Sequence, residues 1–277
     1  MNYLVILSNQ VWRLLSSART KHSFIGSSSG PKVVKRKMMR YWFTILLGMF
    51  VTLVHGQQMD NLSKRLKYLE KQHDFEYDTT GFSSLPKIDY RCDNANPHRW
   101  DYFHVVDLNQ DGLKDLIYSG PCVSNDQTGI FLNNGKVFKR IYDYPGKIVS
   151  IEKGELATIV NILKEATPCE DYSQYTEVTI DSNSQVTKHT ILFGPTTKIT
   201  LGGRLKQEKV VGMIRTTPQV NDEIKRNECN TAVRKGNQLT RIEEFKNIVQ
   251  LNKSGDWWLV LYQENGEKSW IGWMRLN

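Results

Sequence analysis

No acidic side chain occurs among residues 1–56, where eight basic ones do: Arg13, Arg19, Lys21, Lys32, Lys35, Arg36, Lys37 and Arg40. Removing those eight from the chain's 37 Lys and Arg leaves 29 basic residues from position 57 onward, against 29 Asp and Glu. The formal charge of +8 therefore belongs to the N-terminal segment alone. A neutral body lacks the electrostatic footprint that phosphate-backbone binding requires, so nucleic acid is excluded as the expected partner. Histidine is scarce as well: only His73, His98, His104 and His189 follow residue 56, and neither HExxH nor GxSxG occurs. An enzyme reading is then left with a Cys–His hydrolase built on Cys92 with His98 or His104.

Long apolar runs are also few. Tyr41–Val54 (YWFTILLGMFVTLV) gives 14 uncharged residues behind Arg40, followed by His55-Gly56 and then Gln57. A bilayer span needs about 20 residues. The segment instead reads as the apolar core of a signal peptide, with Val54 and Gly56 at the third and first positions before the cut. Residues 1–56 are thus expected to be an N-terminal extension and signal peptide. An uncleaved signal anchor, which fits the positive-inside pattern equally well, is the alternative that would put the chain on a membrane. Met38 and Met39 offer a conventional start directly before this run, and residues 1–37 show no foldable pattern. Export to the periplasm, the cell surface or the medium follows, and in such oxidising compartments Cys92, Cys122, Cys169 and Cys229 are disulfide candidates rather than thiolates.

Residues 57–84 hold Leu62, Leu66 and Leu69 at helical spacing among Lys and Arg, a short helical stub and linker. From about Lys87 short apolar runs alternate with Gly, Asn, Asp and Pro, which predicts an all-β fold. The runs fall at 102–106, 115–118, 129–133 and 136–142, with Asn134-Gly135 between the last two as a type I′ hairpin signal. Sliding the chain by 47 residues aligns Pro121-Cys122 with Pro168-Cys169, a period suited to blade-like β units. Two such units cannot close a propeller, so an open blade-like β domain is expected over 85–202. The same alignment puts Cys122 and Cys169 at equivalent positions and suggests that they pair. Over 205–277 the runs KVVGMIR, NQLTRIEEF, NIVQL, WWLVLYQ and SWIGWMRL predict five short strands in a small barrel.

The chemistry-bearing segment is Asp107-Leu-Asn109-Gln-Asp111-Gly112-Leu113-Lys-Asp115. Side-chain oxygens at positions 1, 3, 5 and 9, with the Leu113 backbone carbonyl, can wrap a hard cation, and calcium prefers such an all-oxygen set. An EF-hand is excluded, because position 12 is Tyr118 rather than an acid. The stretch VVDLNQDGLKDLIYSG, with IFLNNGKVF following, resembles the FG-GAP/VCBS repeats of extracellular β-propellers. That resemblance implies calcium held by Asp107, Asn109, Asp111, the Leu113 carbonyl and Asp115. The second unit reads EKGELATIV where a loop would stand, so one site is implied.

The C-terminal segment, through Gly236, Gly255-Asp256-Trp257-Trp258 and Ile271-Gly272-Trp273-Met274-Arg275, resembles bacterial Src-homology-3-like domains. Such domains imply peptidoglycan, an envelope glycan or a protein or peptide as partner. Residues 217–231 depart from that family's asparagine-valine-arginine signature, and its groove is not carried over. Trp257, Trp258, Trp270 and Trp273 are the candidate ligand-binding residues. Trp257 and Trp258 point to opposite faces of one strand, one toward the barrel core and the other toward a ligand or the first β domain. The expected function is an exported, calcium-stabilised, non-catalytic binding protein of the cell envelope. An inhibitor or immunity protein against a cell-wall hydrolase, and a cell-wall hydrolase with a targeting barrel, are the alternatives.

Protein recovered from its native host should begin at Gln57 on N-terminal sequencing. Membrane-bound material beginning at Met1 or Met39 would establish the anchor instead.

Overall fold

The computed structural model describes residues 66, 69, 75–86, 99–122, 125–167, 169–202, 206–226, 229 and 233–275. The segment expected to be a signal peptide, Leu62, Cys92 and His98 lie outside these. Residues 62–277 form one compact unit, and the fold is all-β.

The strands are β1 (Phe103–Val106), β2 (Asp115–Cys122), β3 (Asn125–Asn133), β4 (Phe138–Pro145), β5 (Lys147–Lys153), β6 (Ala157–Lys164), β7 (Ser173–Asp181), β8 (Val186–Phe193), β9 (Lys206–Arg215), β10 (Ile224–Arg226), β11 (Val233–Lys235), β12 (Gln238–Ser254), β13 (Trp257–Gln263) and β14 (Lys268–Arg275). Strands β1 to β4 form one antiparallel meander, and β5 to β8 form a second within a larger sheet. They share a core in which Val106, Leu108, Ile117, Ile130 and Leu132 of the first meet Ile148, Val160, Ile162, Val178 and Ile180 of the second. Burying each such side chain contributes roughly 1.5–3 kcal/mol, so this layer holds the meanders together. Its polar junction is satisfied: Thr128 Oγ1 lies 2.7 Å from Gly146 O and 3.1 Å from Ser119 Oγ, and Ser119 Oγ accepts the Ile148 N–H at 2.9 Å.

Beyond β8 the sheet continues through β14, whose residues Lys268 to Ile271 pair in parallel with Thr190 to Phe193. Further along, β14 meets β9 at Trp273 and Arg215, while its other edge pairs with β13 throughout. With β9–β12 and β12–β13 pairings added, β9, β12, β13 and β14 form a closed antiparallel ring. Val210, Ile214, Ile242, Ile248, Val260 and Met274 fill the ring. Leu259, Leu261 and Ile271 face the other way and pack on Tyr175, Ile191 and the helical residue Leu66.

Three sequence expectations are corrected. The runs NQLTRIEEF and NIVQL are one strand, β12, because an irregularity between Ile242 and Lys246 absorbs Glu243, Glu244 and Phe245 without ending the pairing. Asn134-Gly135 does not make a type I′ turn, which needs positive φ at both residues. Gly135 has φ 86° but Asn134 is not in that region, and Asn133 pairs with Phe138 across a longer connection. The Asn134 side chain instead accepts the N–H groups of Lys136 and Val137 at 3.1 and 2.9 Å. Finally, Cys169 pairs with Cys229, not with Cys122. Cys122 is itself disulfide-bonded. Cys122 ends β2, whereas Cys169 lies between β6 and β7 and is met by Cys229 from the connection between β10 and β11.

Closing the 60-residue separation between Cys169 and Cys229 contributes about 4 kcal/mol in the chain-entropy picture. Non-reducing peptide mapping should recover the Cys169–Cys229 link. The Cys169→Ser/Cys229→Ser double variant should melt well below the parent, and an unchanged melting temperature would show the link to be energetically idle.

Candidate functional site

The acidic loop joins β1 to β2, and its conformation comes from side chains that capture its own backbone. Asp107 Oδ2 accepts the Gly112 N–H at 3.1 Å, Asn109 Oδ1 accepts the Asp111 N–H at 3.3 Å, and Asp111 Oδ1 accepts the Leu113 N–H at 2.8 Å. Asp115, fully buried at the start of β2, accepts Leu108 N–H and Asn133 N–H, each at 2.8 Å, one on each oxygen. These bonds hold four N–H groups of the loop, those of Leu108, Asp111, Gly112 and Leu113, on the loop's own side chains and tie Asp115 to β3.

Two turns of the second meander hold the loop from outside. Asn109 Nδ2 donates to Ser184 Oγ at 2.9 Å, and Gln110 Nε2 donates to Gly154 O at 2.8 Å. Gln110 and Ser184 have φ of 61° and 60°, the positive-φ non-glycine residues of the described chain. Left-handed backbone at such residues costs on the order of 1 kcal/mol each, so strain collects at this one contact. Nothing in the local pattern of EKGELATIV or DSNSQV marks Gly154 and Ser184 as partners of the loop; only the stacking of the meanders brings them there.

The electrostatics of the loop are unbalanced. Burial, with the charges of Asp111 and Asp107, pushes the Asp115 carboxyl up to about 6, against the opposing pull of its two backbone hydrogen bonds. Asp107 Oδ1 is buried with no hydrogen-bond partner. A buried carboxylate oxygen without a partner is costly, and this Asp107 oxygen is the feature of the loop that suits a hard cation. Among the described residues, however, no group of three or more His, Cys, Asp or Glu side chains is gathered as a metal-holding cluster, since Asp115 spends both oxygens on backbone N–H groups.

The four tryptophans are divided by the barrel wall. Trp270 and Trp273 are buried; Trp257 and Trp258 are half-buried. Trp270 Nε1 donates to Glu264 Oε2 at 2.7 Å, Lys268 Nζ lies 4.7 Å from its ring centroid, and Tyr172 meets it edge-on. Trp258, partly buried, packs against the cluster of Val210, Ile214 and Val260, and Trp257, also partly buried, packs against the Leu66 and Tyr175 cluster.

Two histidine contacts bear on catalysis. His104 Nδ1 accepts the Asp78 N–H at 2.9 Å and its ring packs on Phe75. Among the described residues no cysteine is free to act with it. His189 Nε2 lies 3.0 Å from Ser269 Oγ and Nδ1 lies 3.3 Å from Gly266 O, a nucleophile–base spacing that sequence inspection passes over. Ser269 is buried between paired strands, so the contact ties β8 to β14. Compared with known proteins, the chain matches no family model, no curated protein and no solved structure.

The folded protein holds the Asp115 proton more tightly than the unfolded chain does. Protonation there stabilises the fold fully below about pH 4, and this contribution, at most about 3 kcal/mol, fades as pH rises through about 6. In chelator, thermal stability should therefore gain from this group as pH falls from 7 toward 4. Calcium, by favouring the carboxylate, should flatten that rise. Superimposable pH profiles in calcium and in chelator would remove the cation from the account.

Proposed function

We infer that the chain is an exported, non-catalytic binding protein of the cell envelope whose first β meander is stabilised by calcium. The observation that carries the calcium assignment is the acidic loop with its unpartnered Asp107 Oδ1 and its buried Asp115 held near neutrality. Asp107, Asn109 and Asp111 side chains, the Leu113 carbonyl and Asp115 would hold the ion. Bound there, it would supply charge neutralisation and rigidity rather than catalysis. Both the FG-GAP/VCBS resemblance and the pair of stacked meanders support this reading.

Export is supported by the Cys169–Cys229 disulfide, which belongs to an oxidising compartment, and by the apolar run ending at Val54. No helix among the described residues is long and apolar enough to cross a membrane. The closed ring of β9, β12, β13 and β14 supports the Src-homology-3-like reading of the C-terminal segment. Within it Trp257 and Trp258, which keep part of their surface, are the proposed contacts for peptidoglycan, an envelope glycan or a peptide. Aromatic rings with one wet edge suit sugar and peptide surfaces alike.

Full mature protein should bind calcium with an affinity between about 10⁻⁶ and 10⁻³ M. Asp111→Ala should lower the melting temperature more in calcium than in chelator, where it loses only its hydrogen bonds from Leu113 N–H and Asn109 Nδ2, since a ligand adds stability through linkage. Co-sedimentation with insoluble peptidoglycan and an envelope-glycan array would test the binding reading, with Trp257→Ala and Trp258→Ala each expected to weaken retention at least tenfold. Released fragments in mass spectra of the incubated polymer would replace it with a hydrolase.

A further inference from the structure

Strands β10 and β11 stand apart from both large sheets as a two-stranded ribbon. Its register pairs Ile224 with Lys235, Lys225 with Arg234, and Arg226 with Val233. Six paired residues thus hold four cations, two aliphatic side chains and no acid, in a chain that is neutral from residue 57 onward. Directly paired residues share a face, so Ile224, Arg226, Val233 and Lys235 lie together on one side of the ribbon. All four are exposed, Ile224 at 70% and Val233 at 59% of their full surface.

The ribbon is held rigidly at both ends. At its base the buried Arg215 reaches Asp222 Oδ1 at 2.6 Å, Asn237 Oδ1 at 3.0 Å and Asn221 O at 3.2 Å. Asn237 Nδ2 donates to Thr217 Oγ1 at 2.7 Å and to Gln219 O at 2.8 Å. Gly236 follows β11 with φ 56°, and a Cβ there would lie 1.9 Å from Asn221 O, so glycine alone fits. Beyond the other end, Cys229 in the connection between the strands is bonded to Cys169. A surface fixed in this way loses little entropy on binding.

We propose that the β10–β11 ribbon is a docking surface for an acidic, extended polypeptide segment in which carboxylates alternate with aliphatic side chains. The cations supply the charge complementarity, and the aliphatic pair selects among anions. A sulfated or phosphorylated glycan would engage Arg226 and Lys235 but leave Ile224 and Val233 in water. A bilayer would favour apolar residues gathered on one side, whereas here each aliphatic side chain is paired directly with a cation in a checkerboard. Among the described residues no third strand pairs with the ribbon, so an extended segment can join its edge by strand addition. This surface is separate from the tryptophans of the proposed envelope-binding reading and does not depend on it.

The test uses the full mature chain and a fluorescent decapeptide of alternating Glu and Val, with the Lys–Val decapeptide and phosphatidylglycerol vesicles as comparison probes. The Glu–Val peptide should bind with a salt-sensitive affinity, and the Lys–Val peptide should not. Arg226→Glu/Lys235→Glu should weaken that affinity at least tenfold and Ile224→Ser several-fold. Both variants should keep the parent melting temperature and the Cys169–Cys229 link, while Trp257→Ala should leave peptide binding unchanged. No binding of the Glu–Val peptide by the parent chain, equal binding by parent and charge-reversed protein, or binding to vesicles alone would each overturn the proposal.

Discussion

Four residues of parallel pairing, Lys268 to Ile271 against Thr190 to Phe193, join the second meander, β5 to β8, to the ring of β9, β12, β13 and β14 in one sheet. Parallel neighbours need a long crossover, and the connection from β8 to β14 contains the other three strands of the ring. The barrel is therefore the crossover of its own sheet. Around the pairing, Thr190 N donates to Glu267 O at 2.7 Å, and His189 reaches both Gly266 O and Ser269 Oγ. Lose this seam and the ring parts from the second meander, and with it goes the apolar layer of Leu66, Tyr175, Ile191, Leu259 and Ile271.

Alternation and turn chemistry made the strands readable, because a half-buried strand must alternate and a turn must use Gly, Asn or Asp. What escaped the sequence was nearly always a long-range contact. Phe245 ends an apolar run in the sequence, yet in space it rides an irregularity inside β12, and no local signal distinguishes the two. The Cys169–Cys229 link depends on where the connection between β10 and β11 comes to rest. Leu66 looked like part of a tether and is a fully buried core residue, because an amphipathic turn takes whatever apolar face it meets.

The acidic loop was legible as a set of oxygens at fixed spacing, but its support was not. Asp107, Asn109, Asp111 and Asp115 lie within nine residues, whereas Ser184 lies 75 positions from the Asn109 it holds. The cationic ribbon was legible in principle, since Lys225-Arg226 and Arg234-Lys235 are visible as pairs. Averaged into a neutral body they carried no signal, and only the register that sets them opposite one another turns them into a surface. The hub at Arg215 shows the converse: an ordinary arginine in the sequence becomes a buried cation because three oxygens converge on it.

The interior position of β14 also sets an order of events. Strand β8 waits for its outer neighbour until residues 268–271 have been made, and the ring cannot close before β14 reaches both β13 and β9. Such non-local pairings form slowly, and until they form the apolar edge of the nascent chain stays exposed. The barrel half of the molecule cannot complete its fold as it emerges from the ribosome. The strand that joins the sheet is thus also the one that leaves it open: until residues 268–271 pair, β8 keeps a free edge.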